Sequence, residues 1–143
     1  MSTPRPESSL VHLPEPEGVT PGVGYTHVVT GRGRLVAVSG QIAQDENGAI
    51  VGEGDPLAQA RQVFENLRRC LASAGATFDQ LVKLTYFVTD VAHLPSVRRA
   101  RDEVLDTDRL PASSAVQVSA LVRPELLLEV EALALVDDQP PSP

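Results

Sequence analysis

The chain has 143 residues, 42% of them hydrophobic, 3% aromatic and none of them Trp, which fits one domain with a core of Val, Leu and Ala. A net charge of -7 is unfavourable for gripping a polyanion, and a single cysteine, Cys70, excludes an intrachain disulfide scaffold. No apolar run approaches the roughly 20 residues of a membrane span, and the N-terminus lacks a signal-peptide core, so a cytoplasmic protein without nucleic-acid or membrane partners is expected.

Residues 1–22 carry Pro4, Pro6, Pro14, Pro16 and Pro21 and are expected to form a loose N-terminal arm. The folded domain is expected over 23–137, with a second loose tail over 138–143. Tyr25–Thr30 and Leu35–Ser39 are short β-branched runs separated by Gly31-Arg32-Gly33-Arg34, which predicts a hairpin. The same glycines do not make a phosphate loop, because no helix follows them. Asp45-Glu46-Asn47-Gly48 predicts a further turn.

Asp55-Pro56 opens a helix with a capping carboxylate and a proline at its first position. Leu57, Ala60, Val63, Phe64, Leu67, Leu71 and Ala74 recur at helical spacing, and Gly75 stops it. Leu81–Thr89 is apolar on both faces and predicts a central strand. A second helix is expected over His93–Asp106, with Leu94, Val97, Ala100, Val104 and Leu105 inward. Ser114–Leu121 and Leu126–Val136 read as the last strands. The clustered cations Arg68, Arg69, Arg98, Arg99 and Arg101 fall on the two helices and read as solvated faces. The order ββαβαββ predicts an α+β fold with both helices on one face of a sheet. Its other face is apolar too and calls for a partner subunit.

Several ordered motifs resemble one family. They are Val38-Ser39-Gly40-Gln41-Ile42, Gln59-Ala60-Arg61-Gln62 with Glu65-Asn66-Leu67, and Ala74-Gly75-Ala76 followed by Leu81-Val82-Lys83-Leu84-Thr85 and Phe87-Val88-Thr89-Asp90. Pro111-Ala112-Ser113-Ser114-Ala115-Val116 and Glu129-Val130-Glu131-Ala132 complete the set. From about Tyr25 to Val136 the chain resembles the Rid (reactive intermediate deaminase, YjgF-like) family, also called endoribonuclease L-PSP.

That resemblance implies a chorismate-mutase-like fold and a homotrimer whose sheets face inward, with small-molecule clefts between subunits. In the deaminase branch an arginine of the PARS motif grips a substrate carboxylate, and a glutamate on the final strand assists imine hydrolysis through a water. By position, the glutamate is Glu129, and Tyr25, Ser39, Gly40, Ser113 and Ala115 would line the substrate cleft. The arginine position is Ser113, which has neither charge nor reach to replace a bidentate guanidinium. A standard 2-iminoacid deaminase is therefore not expected.

Each assignment has a plainer alternative. Glu129 and Glu131 share one strand face, and either glutamate can serve an ion pair instead of chemistry. Tyr25 can be packing. Ser113 as a nucleophile would need a base, and His12, His27 and His93 form no recognisable triad with it. No metal-ligand spacing occurs, and no cofactor is expected. Two functions stand: action on a small reactive imine, enamine or related nitrogen compound by hydrolysis or cyclisation, or a non-catalytic trimer that binds a metabolite or partner. Ribonuclease activity, ascribed to some relatives, is opposed by the acidic balance and the lack of a histidine pair.

Overall fold

A computed structural model of the chain describes residues 9–137, so the expectations for 1–8 and for the tail 138–143 lie outside the described residues. Six strands and two helices follow in the order β1 (Val11–Leu13), β2 (Val28–Thr30), β3 (Arg34–Gln41), α1 (Pro56–Ser73), β4 (Leu81–Val88), α2 (Leu94–Asp102), β5 (Ala112–Gln117) and β6 (Leu128–Val136). Four of the strands form one sheet in the order β3-β6-β4-β5, and β1 pairs with β2 in a separate ribbon. Within the sheet only β4 and β5 run parallel. The mixed α+β architecture expected from the sequence is the one observed.

Helix α1 forms where its local signals stand. Asp55 accepts hydrogen bonds from the amides of Leu57 and Ala58, each at 3.1 Å, and Pro56 takes the first turn. At the other end Gly75 adopts a positive φ of 76°. The amides of Gly75 and Ala76 then close on the carbonyls of Ala72 and Leu71, the Schellman pattern. Ala60, Val63, Phe64, Leu67 and Leu71 are buried along one side of the helix. They pack, together with Val97 and Ala100 of α2, in one core with the sheet row Val36, Val38, Leu84, Tyr86, Val88, Val130, Ala132 and Ala134. Gln59 is buried on the same helix. Its side-chain nitrogen donates to the carbonyls of Gly52 and Glu125, and its oxygen accepts from the amide of Leu127.

Among the described residues no helix covers the other sheet face. Alternation along the strands places Leu35, Ala37 and Ser39 of β3 there, with Glu129, Glu131 and Leu133 of β6 and Lys83, Thr85 and Phe87 of β4. Leu35 is 62% exposed and Leu133 39%.

Four expectations need correction. The hairpin does not form: β3 pairs with β6, and β2 pairs with β1. Gly33, at φ 141°, instead lets the backbone bend hard against the carbonyl of Val136, where no side chain would fit. The arm is not wholly loose, because Val11-His12-Leu13 lies between prolines, registers against Val28–Thr30 and leaves Leu10 buried. A ribbon strand of three residues can form in a proline-rich segment as long as the prolines flank it. Helix α2 ends at Asp102 rather than Asp106, preceded by a short 3-10 turn over Val91–His93, and Val104 lies exposed beyond it. The last strands span Ala112–Gln117 and Leu128–Val136 rather than Ser114–Leu121 and Leu126–Val136.

Candidate functional site

The six residues expected at the site fall into two groups. Tyr25, Ser113 and Ala115 line one pocket of about 170 Å³, which Tyr86, Arg98 and Arg101 also line. Strand β5 supplies Ser113 and Ala115, β4 supplies Tyr86, and α2 supplies the two arginines. Tyr25 stands on the segment before β2, its ring edge-on to His27 with centroids 5.0 Å apart. That segment is tied to β5 by the bond from the Thr26 amide to the Pro111 carbonyl, 3.2 Å.

The second group is Ser39, Gly40 and Glu129. A β-bulge between Val38 and Gln41 interrupts the β3–β6 pairing and carries Ser39 and Gly40. The carboxylate of Glu129 occupies the space above Gly40. A Cβ built at Gly40 would stand 2.5 Å from its Oε2 and 2.6 Å from its Cδ. Glu129 is half-buried. Among the described residues it makes neither a hydrogen bond nor an ion pair through its side chain, and the same holds for Glu131. The ion-pair reading of either glutamate therefore has no partner within the described residues of the protomer.

These two groups lie on opposite faces of the sheet. Phe87 pairs with Glu129 and the adjacent Tyr86 pairs with Ala115. Paired residues share a face and successive residues alternate, so Glu129 points to the open face while Ala115 and Ser113 point to the helix side. One protomer does not bring the glutamate to the Ser113 pocket.

Arg101 departs from the expected solvated face. Its side chain is 7% exposed. Nη1 donates to the Gly24 carbonyl at 2.7 Å, and Nε and Nη2 both reach Asp102 Oδ1 at 2.8 Å. Arg98 remains exposed. The Tyr86 hydroxyl is buried without a well-aligned hydrogen bond among the described residues, although Arg101 lies beside it. Burial pushes its pKa up to about 12, against the opposing pull of the neighbouring guanidinium groups. Nothing in local sequence marks Tyr86 or Arg101 as pocket residues. Alternation along β4 puts Tyr86 on the helix side, but Gly24 is 77 residues from Arg101.

A third region is a polar groove between the β3 end and α1, where Asn66 Nδ2 donates to the carbonyls of Ile42 and Gln44. Cys70 lines this groove and is half-buried. Among the described residues no three His, Cys, Asp or Glu side chains are grouped as metal ligands, and no helix is long and apolar enough to cross a membrane.

Comparison with known proteins identifies the family and agrees with the fold. Residues 17–136 match the family described as Endoribonuclease L-PSP. The chain is 34% identical over 121 residues to the 3-aminoacrylate deaminase RutC of Acinetobacter baylyi, an alignment covering 85% of this chain and 94% of that protein. It superposes with a TM-score of 0.78 on YyfB of Yersinia pestis, a protein of unknown function of the conserved Rid family, at 34% identity, covering 90% of this chain and 99% of that one. RidA of an Antarctic Psychrobacter gives a TM-score of 0.67 at 30% identity, covering 87% and 94%. The chain belongs to the Endoribonuclease L-PSP family, the Rid or YjgF-like proteins.

Proposed function

We propose that the protein hydrolyses a small reactive imine or enamine in a cleft between subunits of a homotrimer, with Glu129 as the proton-transfer group. The observation that carries this reading is the half-buried, unpaired carboxylate of Glu129 packed over Gly40. A carboxylate so placed is free to accept and return a proton. Water adds to the carbon of C=N as Glu129 takes one of its protons. That proton passes to nitrogen to give a carbinolamine, Glu129 then takes the hydroxyl proton and delivers it to the amine, and the C–N bond breaks to release a carbonyl compound and ammonia. An enamine enters the same route as its imine tautomer. Relationship to a 3-aminoacrylate deaminase supports this substrate class.

The division of the site supports assembly. Glu129 and Ser113 face opposite sides of the sheet, and in the proposed trimer a second copy brings its glutamate beside the pocket of the first. The exposed Leu35 and Leu133 supply apolar surface for that contact. Ser113, in place of an arginine, separates this protein from a standard 2-iminoacid deaminase, so the substrate is either neutral or anchored by another group. Loss of that arginine also favours a second reading, a trimeric module that binds a metabolite without turning it over.

The test is ammonia release from 2-aminoacrylate, 3-aminoacrylate and a neutral enamine generated in situ, with wild type and Glu129→Gln. Acceleration of at least one substrate by wild type, lost in the folded variant, supports the hydrolase. Bound ligand without acceleration of any of them establishes the binding module.

A further inference from the structure

We infer that Arg98, projecting from α2 into the pocket beside Ser113, is the anchoring cation for a small carboxylate ligand of this protein.

Four observations meet here. The pocket that holds Ser113 is lined by two arginines, and among the described residues of one subunit no carboxylate lines it. In a chain of net charge -7 a concavity without an acid and with two guanidinium groups is unusual ground. The two arginines are not equivalent. Arg101 is buried and engaged by Asp102 and the Gly24 carbonyl, so its charge is largely answered within the protomer. Arg98 has no ion pair or hydrogen bond through its side chain among the described residues. Its charge is therefore available to a ligand.

The fourth observation is Ser113, which lines the same pocket and whose hydroxyl makes no hydrogen bond among the described residues. A ligand oxygen can accept from that hydroxyl. A carboxylate meets both requirements. One oxygen accepts from Arg98 and the other from Ser113 Oγ. The volume of about 170 Å³ and the apolar walls Leu94 and Val97 restrict the remainder of the ligand to a few carbon atoms.

This inference rests on the proposed cleft only for the chemistry that follows binding, so the test separates the two. Pyruvate is the probe, methyl pyruvate its uncharged control and inorganic phosphate the competing anion, each titrated into wild type, Arg98→Gln and Glu129→Gln by calorimetry or ligand-observed NMR. Pyruvate is expected to bind wild type, methyl pyruvate at least tenfold more weakly, and Arg98→Gln is expected to lose at least tenfold in pyruvate affinity. Arg98 is exposed and unpaired, so its variant keeps the wild-type melting temperature. Equal pyruvate affinity in wild type and Arg98→Gln overturns the inference, as does no binding of pyruvate at all. Phosphate binding tighter than pyruvate overturns the carboxylate assignment. Glu129→Gln is expected to bind pyruvate as wild type does. If it binds normally while wild type turns over no imine, the hydrolase reading fails and the carboxylate anchor stands.

Discussion

The carboxylate of Glu129 stands where a side chain at Gly40 would be, with Oε2 2.5 Å from the Cβ position. A glycine on the bulge of β3 thus makes room for the acid on β6. Gly40→Ala pushes Glu129 aside. Because the neighbour is the end of a flexible side chain, the fold absorbs the change by rotation of that side chain. The expected outcome is little change in melting temperature with a loss of roughly 100-fold in turnover of the accepted substrate, since displacement by about 1 Å carries that cost. Parallel thermal unfolding and ammonia-release assays check both halves.

Assembly is predicted from the open face. Leu35 and Leu133 are exposed on the sheet side that no helix covers. Sedimentation equilibrium is expected to give three times the chain mass of 15.2 kDa. Leu35→Glu combined with Leu133→Glu places charges in that contact and should yield a folded monomer with no turnover, because each site then loses the half contributed by its neighbour.

Gln59 holds three backbone groups at once, the carbonyls of Gly52 and Glu125 and the amide of Leu127, from a position 0% exposed. Gln59→Leu keeps the volume and removes all three partners. Unsatisfied buried groups cost about 1–3 kcal/mol each, so a loss on the order of 3 kcal/mol is expected in urea unfolding. An unchanged midpoint would show that water reaches these groups in the variant.

The contrast between α1 and the strands shows what the sequence could reveal. Asp55, Pro56 and Gly75 are local signals, and each acts on its nearest neighbours, so both helix ends were legible. Strand partners are chosen non-locally. Val38 pairs with Ala132 rather than with a residue of the preceding strand, and no local pattern encodes that choice. Arg101 was read as a solvated helix residue because its burial depends on Gly24, 77 residues away. The candidate site residues rest on motifs, whereas their division between sheet faces needed the register of Phe87 with Glu129 and of Tyr86 with Ala115.

A pH prediction follows from Tyr86. Burial raises its pKa to about 12 from the ordinary 10.0. Above pH 10 the unfolded chain gives up this proton while the folded chain keeps it, so the unfolded state binds fewer protons and stability falls as pH rises. The contribution is complete below pH 10 and is lost between 10 and about 12. Tyr86→Phe removes the ionisation together with the buried hydroxyl beside Arg101. Urea unfolding at pH 8 and pH 11 is expected to show a shallower alkaline decline for the variant than for wild type. A decline as steep as wild type would assign the alkaline loss to other groups.

The last prediction moves the anchor. Ser113 and Arg98 line the same pocket, one from β5 and one from α2. Ser113→Arg alone would set a third guanidinium beside Arg98 and Arg101 with no carboxylate in the lining to answer it. Like charges at close range repel, and the repulsion grows as water is excluded. The single variant is therefore expected to melt lower than wild type and to recover when pyruvate is added, because the ligand charge relieves the crowding. Ser113→Arg with Arg98→Gln restores the original charge count and relocates the cation to the strand. The doubly substituted protein is expected to bind pyruvate within about tenfold of wild type, while Arg98→Gln alone binds it at least tenfold more weakly. If Arg98 is the anchor, the two substitutions are strongly non-additive in pyruvate affinity. Additive losses would mean that the two positions do not share one ligand, and the pocket would then have to be divided between different roles. Turnover completes the comparison. With Glu129 unchanged, the relocated anchor should give imine hydrolysis that Glu129→Ala abolishes, since in the proposed cleft orientation of the substrate and proton transfer fall to different residues and neither can replace the other.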